Sequence, residues 1–130
     1  PQGSLSQAFF GSAAVETLPA RDTLAAVFDP AAVRDRPARL AVPTGFERLS
    51  IVRANQSLAP YNRPEPDREG LNQFLLRDAL ADVTGYDLVL LDCPPNLYLA
   101  SWNAMLASNH VVVPVPPEDF GAQGLRVVHQ

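Results

Sequence analysis

Three short runs along the chain are apolar and rich in β-branched residues: Leu49-Ser50-Ile51-Val52-Arg53, Asp87-Leu88-Val89-Leu90-Leu91 and Val111-Val112-Val113-Pro114-Val115. Each predicts a strand. The second and third are almost continuously apolar instead of alternating with polar residues, the pattern of a strand covered by helices on both faces. Between the first two, Leu71, Phe74, Leu75, Leu80 and Val83 recur at spacings that share one side of a helix, which predicts an amphipathic helix over 67–83. Asp67 is placed to cap it, Glu69 lies in its first turn, and Gly85 stands where a left-handed residue closes a helix before the next strand. A second helix is predicted over 97–108, turning Leu99, Trp102, Met105 and Leu106 toward the core, and a third begins near Asp119.

The first third of the chain is less regular. A short helical turn is expected over 4–10 and a helix over 21–28. The prolines at 37 and 43 interrupt any long helix, so 34–44 is read as a connection or insertion leading into the first strand. No internal repeat is visible. Strand and helix then alternate, which predicts an α/β fold. Its sheet is expected to be doubly wound and mostly parallel with helices on both faces, and the ligand crevice to lie beyond the carboxyl ends of the strands.

Composition narrows the chemistry. Hydrophobic residues make up 47% and charged residues 18% of the 130, a balance that supports a folded core. The ten cationic residues are all arginine, scattered between Arg21 and Arg126, and the net charge is −4. No basic run follows a phosphate backbone, so this segment is expected to bind nucleic acid poorly by itself. The absence of lysine excludes a phosphate-binding P-loop, a Schiff-base enzyme or a lysine general base from these residues. Cys93 is the single cysteine; it has no partner for a disulfide or a zinc site, which agrees with a reducing, cytoplasmic setting. No stretch approaches the roughly 18 apolar residues of a membrane span, and the first residues lack the basic-then-apolar layout of a signal peptide, so no membrane association is expected. The chain opens on Pro1 without a methionine and stops at Gln130 inside a helical pattern, so it is expected to be an internal piece of a longer protein.

The segment richest in chemistry is residues 85–95, an apolar run that ends in Asp92 and is followed by Cys93, Pro94 and Pro95. Two prolines in succession prevent the strand from continuing, which leaves Asp92 at the carboxyl edge of the sheet. An aspartate there can hold Mg2+, directly or through water, against the phosphates of a nucleotide. It can equally cap a turn, as aspartates often do, and the pattern alone leaves both readings open. Other residues fit structural roles better. Cys93 lacks a basic neighbour and suits a small buried hydrophobe. Glu118 and Asp119 suit the N-terminus of a helix rather than a paired-carboxylate site. Trp102 and Met105 suit a core stripe, His110 and His129 lack partners, and Arg34, Arg36 and Arg39 suit a solvated loop.

Residues 86–95 resemble the Walker B strand and the start of switch II in the ParA/MinD branch of P-loop ATPases. That pattern reads Tyr-Asp, four apolar residues, Asp, Cys or Thr, Pro, Pro. The resemblance continues in order through Asn103-Ala104-Met105-Leu106-Ala107, through residues 112–118 with their Pro-Val-x-x-Glu turn, and to Gly124-Leu125. Pro1-Gln2-Gly3-Ser4 resembles the Asp-Pro-Gln-Gly-Asn segment of ParA proteins, with Ser4 in place of the Asn. Ile51-Val52-Arg53-Ala54-Asn55 with Leu58-Ala59 resembles the strand and Asn-x-x-Leu-Ala stretch of the same family. Residues 11–48 carry little of it.

The resemblance implies one partial nucleotide-binding domain over 1–130, part of an ATP-dependent DNA partition protein that binds ATP and Mg2+. Such proteins form a homodimer, hydrolyse ATP slowly when a ParB-like partner stimulates them, and bind non-specific DNA through regions outside this segment. Carried over, Asp92 is the Walker B carboxylate near Mg2+. Gln2 and Gly3 belong to switch I near the γ-phosphate, with Gln2 catalytic, and Pro94 and Pro95 open switch II. The family's lysine-containing Walker A loop and its central strand are expected upstream of Pro1. The 130 residues alone are therefore expected to be inactive, with exposed apolar surface where that strand is missing. Two alternatives stay open: a MinD-like or other cargo-positioning ATPase, and a degenerate regulator that no longer hydrolyses ATP.

Overall fold

The computed structural model describes residues 3–30 and 37–114. Positive-φ glycines set off the first helices, a conformation glycine reaches without a Cβ clash. Gly3 (φ 68°) precedes α1 (Ser4–Phe10), and Gly11 (φ 83°) separates it from α2 (Ser12–Glu16), where Val15 is fully buried. A 3-10 turn at Ala20–Asp22 leads to α3 (Ala25–Phe28), all four of whose residues are buried. Next come α4 (Pro37–Leu40) and the strands β1 (Ala41–Pro43) and β2 (Ser50–Val52). The 3-10 segments Gln56–Tyr61, Pro66–Arg68 and Gly70–Phe74 follow, then α5 (Leu75–Leu80) and α6 (Leu99–Ala107).

One apolar cluster joins these pieces. Ala25, Ala26, Val27 and Phe28 pack with Leu40, Leu58, Leu76 and Ala104, and Leu75, Leu80, Leu91 and Ala100 flank them. Each large side chain buried there contributes about 1.5–3 kcal/mol relative to exposure. The polar counterpart is Asn103, fully buried in α6. Its amide nitrogen donates to the carbonyls of Asn72 (2.9 Å) and Leu99 (3.0 Å), and its oxygen accepts from the Leu76 amide at 3.0 Å.

That geometry explains the departure from the helix expected over 67–83. A continuous helix would pair the Leu76 amide with the Asn72 carbonyl four residues earlier. Asn103 takes both groups, so its side chain stands inside that bond and splits the segment. Gly70, at φ 56°, breaks it once more. Asp67 accordingly lies inside a 3-10 turn instead of capping a helix, and the residue that precedes α5 is Phe74. The inward face shifts with it. Leu76 is buried, whereas Leu71 is 85% exposed. In α6, Leu99, Ser101, Asn103 and Ala104 face inward, and Leu106 is exposed. The helix expected over 21–28 forms as the 3-10 turn and α3, and Gly85 keeps its positive φ (86°) away from any helix end.

The sheet differs most from expectation. Among the described residues it has two strands, β1 and β2, paired antiparallel with Ala41 opposite Val52, Val42 opposite Ile51 and Pro43 opposite Ser50. Thr44 organises the connection, its hydroxyl accepting from the Phe46 amide and donating to the Leu49 carbonyl. The stretch expected to be a connection thus supplies a strand partner. The runs expected as the second and third strands join no sheet within residues 87–114, and they are solvent-exposed: Leu90 is 82% and Val112 90% accessible. The described residues therefore do not show the doubly wound, mostly parallel sheet with helices on both faces. The physical reason is the missing ladder partner, since an apolar strand needs hydrogen-bonding neighbours and covered faces, and no described strand pairs with these runs. The helix expected near Asp119, with Glu118, Gly124, Leu125 and His129, lies outside the described residues, as do Arg34 and Arg36.

Candidate functional site

Of the predicted site residues, Gly3, Asp92, Pro94 and Pro95 are described, and Gln2 lies outside the described residues. They form two groups with different partners. Gly3 sits just past the end of β2. A Cβ at this position would overlap the carbonyl oxygen of Ala54 and press on Asn55, so the backbones approach here as only glycine permits. One turn on, the hydroxyl of buried Ser6 accepts the Ala54 amide at 2.9 Å.

Asn55, also buried, continues this junction. Its amide nitrogen donates to the carbonyls of Val15 (2.9 Å) and Leu18 (3.0 Å), and its oxygen accepts from the Ser57 amide at 3.0 Å. Fully buried Thr23 closes the network, with its hydroxyl 3.1 Å from that of Ser57. Beside Ala54, the Nε of Arg53 is buried without a hydrogen-bond partner. Sequence reasoning reached Asn55 and Asn103 through the motifs that contain them. Ser6 and Thr23 gave no signal, because a lone hydroxyl beside apolar residues looks like any other.

The second group is residues 92–95, leading into α6. Asp92 is exposed, and it follows the unpaired run at the point where Leu91 still packs against the core. The carbonyl of Pro94 accepts from the Asn96 amide (2.8 Å) and from the Ser101 hydroxyl (3.4 Å), which ties the proline turn to α6. Asn96 then accepts the Tyr98 amide at 3.3 Å just before the helix begins. Upstream, Asp87 pairs with Arg48 at 3.0 Å, with both side chains in solvent, so the pair adds little stability. Among the described residues no group of three His, Cys, Asp or Glu side chains is placed to hold a metal by protein ligands alone. A single exposed carboxylate suits Mg2+ as nucleotide enzymes hold it, with phosphate oxygens and water completing the octahedron.

Cys93 departs from the buried hydrophobe expected of it: it is exposed, with its sulfur 3.6 Å from the Leu91 carbonyl. Partial desolvation pushes its thiol pKa up, and the neighbouring Asp92 charge raises it further. The thiolate is disfavoured at neutral pH. Iodoacetamide should therefore label the 130-residue chain more slowly at pH 8 than it labels an unstructured cysteine peptide, and the rate should climb as the pH rises. Asp92→Asn removes a negative charge, lowers the thiol pKa and should speed labelling at the same pH; a slower rate in this variant would contradict the assignment.

Comparison with known proteins identifies the family. The AAA domain family (AAA_31) matches residues 11–130. The chromosome partitioning protein ParA of Myxococcus xanthus is 32% identical over 107 residues, 81% of this chain and 38% of that protein. The chromosome-partitioning ATPase Soj of Thermus thermophilus is 52% identical over 50 residues, 38% of this chain and 20% of that protein. The cell division protein PomZ of Myxococcus xanthus is 31% identical over 100 residues, 75% of this chain and 31% of that protein. The chain thus spans well under half the length of these curated relatives. No solved structure matches it. The chain belongs to the AAA domain family, in its ParA-type branch.

Proposed function

We propose that these residues supply the Walker B carboxylate and both switch segments of a ParA-type partition ATPase. The observation that carries this reading is the Asp92 junction: an apolar run, a carboxylate, then two prolines, in a chain whose relatives are named as chromosome-partitioning proteins. The 130 residues are read as part of one nucleotide-binding domain. The lysine-bearing phosphate loop comes from residues outside these 130, since none of them is lysine.

In the whole protein, the strand carrying that loop pairs with residues 88–91, and the α/β sheet becomes parallel and doubly wound. Residues 88–90 and 111–113 are the exposed apolar runs such a strand would cover. Asp92 then stands at the sheet's carboxyl edge, where it holds Mg2+ through water, and Mg2+ supplies neutralising charge on the nucleotide phosphates. Gln2 and Gly3 lie beside the γ-phosphate with Gln2 orienting water, while Pro94 and Pro95 fix the start of the second switch. These groups position charge and water around an in-line phosphoryl transfer and form no bond with the substrate.

The same reading assigns the whole protein an ATP-dependent homodimer, a ParB-like stimulating partner, cytoplasmic location, and non-specific DNA binding through residues beyond this chain. Among the described residues no helix is long and apolar enough to cross a membrane. A second reading, a cargo-positioning ATPase, draws support from the similarity to a protein named for cell division. ATP turnover by the full-length protein tests both against a non-hydrolysing regulator. Slow turnover that needs Mg2+ and rises when DNA and the partner are added is the expected result. Absence of turnover in the folded protein under all these conditions would favour the regulator.

A further inference from the structure

The resemblance assigns a role to Gln2 and Gly3 and none to Ser6, yet the structure fastens Gly3 and Ser6 to the same residue, Ala54. Gly3 lies so close to Ala54 that no side chain fits between them, and its carbonyl accepts the Gln7 amide at 2.9 Å to open α1. Ser6 is the only buried residue of α1, and its hydroxyl accepts the amide of the same Ala54 at 2.9 Å. Two points one helical turn apart thus grip one residue at the end of β2. Ala54 is itself held, because Asn55 beside it is pinned to the carbonyls of Val15 and Leu18 and to the Ser57 amide.

We propose that Ser6 is a positioning residue: with the bare Cα of Gly3, it docks the first turn of α1 on Ala54 and so fixes Gly3, to which Gln2 is bonded, beside the residues that follow β2. This rests on the ATPase reading above, in which Gln2 orients the attacking water. A hydroxyl can do this where an apolar side chain cannot, because the Ala54 amide is left without a partner when the acceptor goes. Loss of the tether frees the turn to shift, and displacement of a catalytic group by about 1 Å can cost up to a hundredfold in rate.

The test uses the full-length protein with Ser6→Ala and Ser6→Thr, the latter retaining a hydroxyl. Three quantities are read: kcat and KM for Mg2+-ATP, corrected for the folded fraction, and hydrogen exchange at the Ala54 amide. Ser6→Ala is expected to lower kcat about tenfold, with KM changed less than about twofold and Ala54 exchanging faster. Ser6→Thr should recover at least about half of the wild-type kcat and the Ala54 protection. A purely structural serine would lower the melting temperature and leave kcat per folded molecule alone. An unchanged kcat in Ser6→Ala, or an equal loss in Ser6→Thr, overturns the assignment while the ATPase reading stands. A wild-type protein without turnover overturns both.

Discussion

Asp92→Ala in the full-length protein is expected to lower Mg2+-dependent ATP turnover by about a hundredfold or more, while the fold survives. The size follows from what a metal-steering carboxylate does. Charge on the transferring phosphoryl group is neutralised by a correctly placed cation, an effect of several kcal/mol, and each 1.36 kcal/mol is about tenfold in rate. The survival of the fold follows from exposure: Asp92 reaches solvent and makes none of the core contacts. Surface substitutions of this kind usually shift stability by less than about 0.5 kcal/mol. Near-normal turnover in a folded variant would remove Asp92 from its role and return it to the turn-capping reading.

One helical segment was legible in the sequence, and Asp92 stood out there as a candidate carboxylate, for different reasons. The 3.6-residue apolar period found α6 almost to its ends, Leu99–Ala107 against 97–108, because a helix satisfies its own backbone and needs only one covered face. The same period over 67–83 overstated its helix. It contains no trace of Asn103, which arrives from 27 residues beyond Leu76 to occupy a helical hydrogen bond. A side chain that inserts from another helix is invisible to any local pattern.

Strands are harder still, since their hydrogen bonds belong to other parts of the chain. Residues 50–52 became β2 because residues 41–43 were there to pair with them, and those residues had been read as a connection on account of Pro43. Pro43 is tolerated because it sits at the end of a short edge strand. Residues 88–91 have the stronger apolar run and form no strand, because strength of pattern cannot replace a partner. The candidate site was legible where a motif surrounded it, at Gly3, Asp92, Pro94 and Pro95. Ser6 did not stand out at all, and only its contact with Ala54 sets it apart.

Hydrogen exchange at residues 88–91 and 111–113 bears most directly on whether this chain delivers Asp92 to a nucleotide site on a central strand. In the isolated 130 residues these amides have no ladder partners and should exchange almost as fast as in an unfolded peptide. In the full-length protein they should be among the most protected, by roughly a thousandfold or more, since central strands open only with an energy near the global stability. Fast exchange of residues 88–91 in the full-length protein, with the rest of the domain protected, would contradict the account.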